Sequence, residues 1–142
     1  MRDRLGWGSA VSVLAAALVA CGSWPGPVAP EGARLRISAS DDSILVGGEE
    51  TTLRVTIETE SGELLRYGAE VSMTATNGVL TDDAGRVQGA GYNTTADNGE
   101  LAVRLRSERR AGAALIRVTS GTAKDSVTVW IVAAPPPDEP EP

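Results

Sequence analysis

Histidine and phenylalanine are absent from the 142 residues, and cysteine occurs once, at Cys21. Without histidine the chain assembles no Ser-His-Asp or Cys-His arrangement, so the common routes to an activated nucleophile are closed. Zinc and haem lose their usual imidazole and thiolate ligands. A single cysteine allows no disulfide within the chain. Two Tyr and three Trp are the only aromatics, so a core has to be built from Val, Leu, Ile, Ala and Met. No Lys/Arg cluster stands clear of nearby acids, and the net charge is −6 with a pI near 4.6. Nucleic acid, which demands a basic footprint, is therefore not a partner. No apolar run reaches the roughly 20 residues of a membrane-spanning helix.

What is present begins with an export signal. Arg2 and Arg4 form a positive start weakened by Asp3, and residues 10–20 form a run of apolar and small residues. That run has the length of a signal-peptide core. It closes on Leu18-Val19-Ala20-Cys21, which resembles the cleavage and lipid-attachment box of bacterial lipoproteins. The alternatives are an ordinary secretory leader with a chance cysteine, or an uncleaved anchor. The resemblance implies diacylation of Cys21 through a thioether, cleavage before it and acylation of the freed amine. Two or more acyl chains make a durable membrane anchor where one is marginal. Gly22-Ser23 follows Cys21 where an Asp would be a retention signal, which by the same resemblance points to the outer membrane, the alternative being a Gram-positive host.

Three prolines and two glycines among residues 24–32 describe a spacer. Trp24, near the acylated position, suits either the headgroup level or a solvated linker. At the other end, five prolines and three acids among residues 133–142 describe an extended acidic tail. The expected organisation is a leader over 1–20, a tether over 21–32, a domain over 33–134 and a disordered tail over 135–142.

Between tether and tail the dominant period is two. Leu35, Ile37 and Ala39 alternate with polar neighbours, as do Leu53, Val55 and Ile57. So do Val71, Met73 and Ala75, then Leu101, Val103 and Leu105, then Ala114, Ile116 and Val118, and finally Val127, Val129 and Ile131. Turn signals separate them: Gly47-Gly48, Ser61-Gly62, Asn77-Gly78, Asp83-Ala84-Gly85, Asp97-Asn98-Gly99, Ala111-Gly112 and Gly121. Strands with one polar face predict an all-β, Ig-like antiparallel β-sandwich of about seven strands.

Several ordered phrases carry a further resemblance. Thr52-Leu53-Arg54-Val55-Thr56-Ile57 is followed by Ser61-Gly62-Glu63-Leu64-Leu65 and by Val71-Ser72-Met73-Thr74-Ala75-Thr76-Asn77-Gly78. Then come Thr94-Thr95-Ala96-Asp97-Asn98-Gly99, Arg110-Ala111-Gly112 and Val127-Thr128-Val129. As a set they resemble the bacterial Ig-like group 1 domain of invasin and intimin stalks. The resemblance implies the sandwich and, more loosely, adhesion. One copy is present where stalks string many, and residues 86–93 are longer and richer in glycine than the pattern.

Candidate sites are few. Asp41-Asp42, Glu49-Glu50 and Asp82-Asp83 are acid pairs in turn contexts, where capping explains them better than catalysis. Asp82-Asp83 and Asp97-Asn98 offer calcium-type oxygens, but no spacing matches a calcium loop, and turn chemistry is preferred. Leu115 and Trp130 fall on polar faces of the last two strands, as a partner surface would or as loop-covered residues would. Arg104, Arg106, Arg109, Arg110 and Arg117 form a local basic stripe, read chiefly as a solvated, ion-paired face and secondarily as a site for an anionic glycan or lipopolysaccharide. The expectation is a non-catalytic, cofactor-free protein, lipid-anchored through Cys21 in the bacterial outer membrane. It is expected to act as a surface binding or adhesion module with a protein or glycan partner; the alternative is an accessory subunit of an envelope assembly.

Overall fold

The computed structural model describes residues 27–136. The leader, Cys21, Trp24 and residues 137–142 of the tail lie outside the described residues. Ten strands follow one another: β1 (Arg34–Ala39), β2 (Ser43–Leu45), β3 (Glu50–Glu58), β4 (Ala69–Ala75), β5 (Val79–Thr81), β6 (Val87–Gly89), β7 (Gly91–Ala96), β8 (Glu100–Arg106), β9 (Gly112–Ser120) and β10 (Ala123–Val132). They form two five-stranded sheets, ordered β1-β3-β8-β5-β6 and β2-β10-β9-β4-β7. The result is an Ig-like β-sandwich with no helix among the described residues.

The six alternating segments each form a strand and bury the predicted side. β4 shows the pattern most plainly, with Ala69, Val71, Met73 and Ala75 buried and the residues between them exposed. Leu53, Val55 and Ile57 of β3 meet Ile116, Val118, Val129 and Ile131 from the other sheet in one core. That core is aliphatic apart from Met73, as a chain without Phe requires. Each fully buried Val, Leu or Ile contributes about 1.5–3 kcal/mol.

The structure has ten strands where about seven were expected. The additional ones are short: β2, β5 and β6 have three residues each, too few to display a period. The Gly-rich segment at residues 86–93 supplies β6 and opens β7, carrying the chain from one sheet edge to the other.

One pair is parallel. After Ala39 the chain leaves the first sheet and adds β2 beside β10, with Ser43, Ile44 and Leu45 opposite Trp130, Ile131 and Val132. β1 and β2 thus act as one strand that changes sheets. Ser40 stabilises the crossing, because its amide donates to the Thr52 carbonyl at 2.9 Å and its hydroxyl accepts from the Thr52 amide at 3.1 Å.

The strand directions give the sandwich two distinct poles. At one, the proximal pole, the described chain begins. No strand or helix forms over residues 27–33, and residues 27–29 dock on the sandwich. The Pro27 carbonyl accepts from the Glu70 amide at 2.7 Å, the Ala29 amide donates to Ser120 Oγ at 2.9 Å, and Ala29 is buried. Ala29 is small enough to sit under the β9–β10 hairpin, and the flanking prolines hold the segment extended. At the opposite, distal pole lie the loops after β2, β4 and β8, together with the end of β10. β10 has ten residues, so the poles are separated by roughly 30 Å.

Candidate functional site: a cleft at the distal pole

Four stretches of chain converge at the distal pole: Gly47-Gly48, residues 75–79, Val87 with Ala90, and residues 106–110. They enclose an open cleft of about 740 Å³, within the size range of ligand sites. Its apolar side comes from Ala75, Val79, Val87 and Ala90, and its polar side from Asn77, Arg106, Ser107, Glu108, Arg109 and Arg110.

The loop from β8 to β9 is fastened on both flanks. On one side, Gly47 N–H donates to the Glu108 carbonyl at 2.8 Å and the Ser107 amide donates to the Glu49 carbonyl at 2.8 Å. Ser107 is buried, and its hydroxyl donates to the Leu45 carbonyl while accepting from the Gly48 amide at 3.1 Å. On the other side, Asn77 Nδ2 donates to the Arg110 carbonyl at 3.0 Å and Asn77 Oδ1 accepts from the Gly78 amide at 2.9 Å. Gly78, at φ +75°, lies so close to this loop that a Cβ would meet the Arg106 carbonyl oxygen at 2.8 Å.

The basic residues are divided among three surfaces, which corrects the single stripe expected from their proximity in sequence. Arg104 and Arg106 lie on the outer face of the first sheet, opposite Thr52 and Glu50 in register, with Arg106 reaching the rim of the cleft. Arg109 and Arg110 stand on the distal loop. Arg117 is on the outer face of the other sheet, opposite Ser126 and Thr74. The change of sheet explains the division: β8 and β9 belong to different sheets, so their outer faces point away from each other, and the loop between them carries Arg109 and Arg110. Arg104 pairs with Glu50 at 3.6 Å.

Among the paired acids, the carboxylates of Asp82, Glu49 and Glu50 are engaged in local structure, while Asp41 and Asp42 are held through their backbone groups. Asp82 Oδ1 accepts from the Arg86 amide at 2.8 Å and Oδ2 from Gln88 Nε2 at 3.3 Å, closing the β5–β6 turn. Asp83 is exposed beside it. The Asp97 carbonyl accepts from the Glu100 amide at 3.1 Å, and Asn98 takes a left-handed conformation at φ 52°. These two turns sit beside Arg104 and Glu100, separated by roughly 13 Å of β8, so they do not combine into one site. The Asp41 amide donates to Thr51 Oγ1 at 3.0 Å, and the Asp42 carbonyl accepts from the Trp130 amide at 2.8 Å. Glu49 accepts from the Leu45 amide, and Glu50 belongs to Arg104. Among the described residues no group of three or more acidic, His or Cys side chains is gathered for a metal ion.

Trp130 is 56% exposed. Its cross-strand neighbours are Ser43 and Ala113, both small, so the indole is left uncovered on its sheet. Leu45 and Val132 extend the apolar surface beside it, while Leu115 is half-buried between Thr128 and Thr76. The distal cleft itself has no signature in the sequence. Asn77-Gly78 reads as a turn and Arg109-Arg110 as charge, and only the topology brings them together.

No family model matches the chain, and no curated protein matches it in sequence. Its fold has solved counterparts. A glycosyl hydrolase family 2 member from Bacteroides cellulosilyticus superposes with a TM-score of 0.55 at 15% identity, over 76% of this chain and 15% of that one. The adhesin InvE of Yersinia pseudotuberculosis gives 0.53 at 15% identity, over 73% of this chain and 33% of that one. The D0-D1 domain structure of intimin gives 0.50 at 20% identity, over 69% and 48%. The chain thus spans a minor part of the first of these structures and under half of the intimin one. The likeness to invasin- and intimin-type domains holds at the level of the fold.

Proposed function

We propose that this protein is a lipid-anchored, non-catalytic binding module of the bacterial envelope. It is held through acyl chains on Cys21 and presents its distal cleft away from the membrane. The observation that carries this reading is the polarity of the sandwich. The chain approaches from the lipoprotein-like segment and docks at the pole near Ser120, whereas the cleft opens at the other, roughly 30 Å away. An anchor preceding Pro27 therefore leaves the cleft facing outward. The fold is shared with stretches of InvE and intimin, which suits adhesion at a cell surface, although a sandwich by itself specifies no activity. It is shared equally with a stretch of a glycosyl hydrolase, but this chain spans only 15% of that structure, and the carboxylates of Asp82, Glu49 and Glu50 serve turns and an ion pair.

Membrane fractionation of Cys21→Ala tests the anchor. The substituted protein is expected in the soluble fraction, and retention in the membrane to the original extent overturns the lipoprotein assignment. A second reading, an accessory subunit facing the periplasm, draws support from the exposed Trp130, Val132 and Leu45, which suit a flat protein contact. Protease added to intact cells separates the two. Digestion without permeabilisation supports the surface module, and digestion only after the outer membrane is opened supports the subunit.

A further inference from the structure

The distal cleft combines three exposed arginines with a loop whose backbone is fixed by hydrogen bonds. Among the described residues the ion pairs are Arg66–Glu63 and Arg104–Glu50, so no described carboxylate lies within 4.0 Å of Arg106, Arg109 or Arg110. Glu108 is the single acid lining the cleft. A cationic concentration of this kind, on a chain of net charge −6, opposes the overall field of the protein. The loop carrying it is tied to the β2–β3 turn through Gly47, Gly48 and Ser107, and to the β4–β5 turn through Asn77. Little loop ordering is left for binding to supply, which is the meaning of preorganisation.

We propose that this cleft is a binding site for an anionic saccharide, a sugar carrying two or more carboxylate or phosphate groups. Guanidinium forks match both oxyanions in bidentate geometry, and Arg holds them better than Lys does. The aliphatic side formed by Val79 and Val87 offers a surface for the C–H face of a sugar ring. The Glu108 carboxylate is available at the cleft for hydroxyl groups. The site concerns what the module binds and does not depend on lipid anchoring, so its failure leaves the Cys21 assignment standing.

Calorimetric titration of the full chain, in uncharged detergent and at low ionic strength, tests the site. Tri-galacturonate probes carboxylates, glucose 1,6-bisphosphate probes phosphates, and maltotriose is the neutral control. At least one anion is expected to bind once per chain, more weakly as salt is added, and the stronger of the two identifies the anion. Arg109→Gln and Arg110→Gln are each expected to weaken it roughly tenfold. Arg117→Gln, on the opposite sheet's outer face, is expected to leave it unchanged. Thermal melting of each variant confirms that the fold is retained. The proposal is overturned if neither anion binds, if maltotriose binds as tightly, or if Arg117→Gln weakens binding as much as the cleft variants do.

Discussion

The Ala29 amide donates to the Ser120 hydroxyl at 2.9 Å, across 91 residues, and the same hydroxyl donates to the Glu70 carbonyl at 2.6 Å. One buried oxygen thus joins the incoming chain, the β9–β10 hairpin and the start of β4. Ser120→Ala leaves a buried amide and a carbonyl without their partner, a loss of about 1–3 kcal/mol. Thermal unfolding is expected to fall by about 4–8 °C for each kcal/mol lost. Tyr67→Phe removes the exposed bond from Tyr67 Oη to the Val28 carbonyl, where water can substitute, and is expected to change stability by under about 0.5 kcal/mol. Equal melting temperatures for the two variants would show that the Ser120 bridge is not buried as described.

Gly78 and Gly85 provide a paired test of how the cleft is built. Their φ values are +75° and +82°, so a Cβ at either position meets the same left-handed strain, of order 1–3 kcal/mol. They differ in surroundings. At Gly78 the added atom lies 2.8 Å from the Arg106 carbonyl oxygen, and at Gly85 it meets nothing within 4 Å. Gly78→Ala is therefore expected to be more destabilising than Gly85→Ala by at least about 1 kcal/mol in urea unfolding. If the two variants unfold alike, the close approach of the Asn77-Gly78 turn to the distal loop is wrong.

The long strands were legible because each has one face in the core and one in water. Leu53, Val55 and Ile57 alternate with Arg54 and Thr56 over nine residues of β3, and no other element has that period. β5 could not be read so. Its register shifts between Leu80 and Thr81, and both of these neighbours are buried. A bulge of this kind erases alternation. β7 was partly hidden by its threonines, since Thr94 and Thr95 are chemically alike while only one turns inward. The parallel β2–β10 pair depends on where the chain changes sheets, which three residues do not announce. Residue proximity misled most at the arginines, because Arg104 and Arg117 lie close in sequence but on opposite outer faces.

Thr81 is buried at 1% exposure, and its Oγ1 has no hydrogen-bond partner among the described residues. A desolvated hydroxyl without a partner opposes folding. Thr81→Val preserves the branched shape and removes the polar atom, so it is expected to stabilise the chain by about 1 kcal/mol. Urea unfolding measures this directly as a higher midpoint at unchanged slope. A lower midpoint would mean that the hydroxyl is satisfied in solution and that Thr81 contributes to the bulge through a bond.

Trp130 and Ile131 are adjacent on β10 and point to opposite sides of their sheet. Ile131 is 2% exposed and belongs to the core, whereas Trp130 stands over Ser43 and Ala113 on the outer face. Ile131→Ala removes buried methyl groups and leaves a cavity, which costs about 2–5 kcal/mol. Trp130→Thr keeps a residue suited to strands and removes a ring that contributes little to the core, so stability is expected to shift by no more than about 0.5 kcal/mol. The comparison bears on function as well as folding. A ring that can be removed without loss of stability is free to serve the flat protein contact proposed for Trp130, Val132 and Leu45. If Trp130→Thr unfolds as readily as Ile131→Ala, the ring is part of the fold and the proposed contact through it falls.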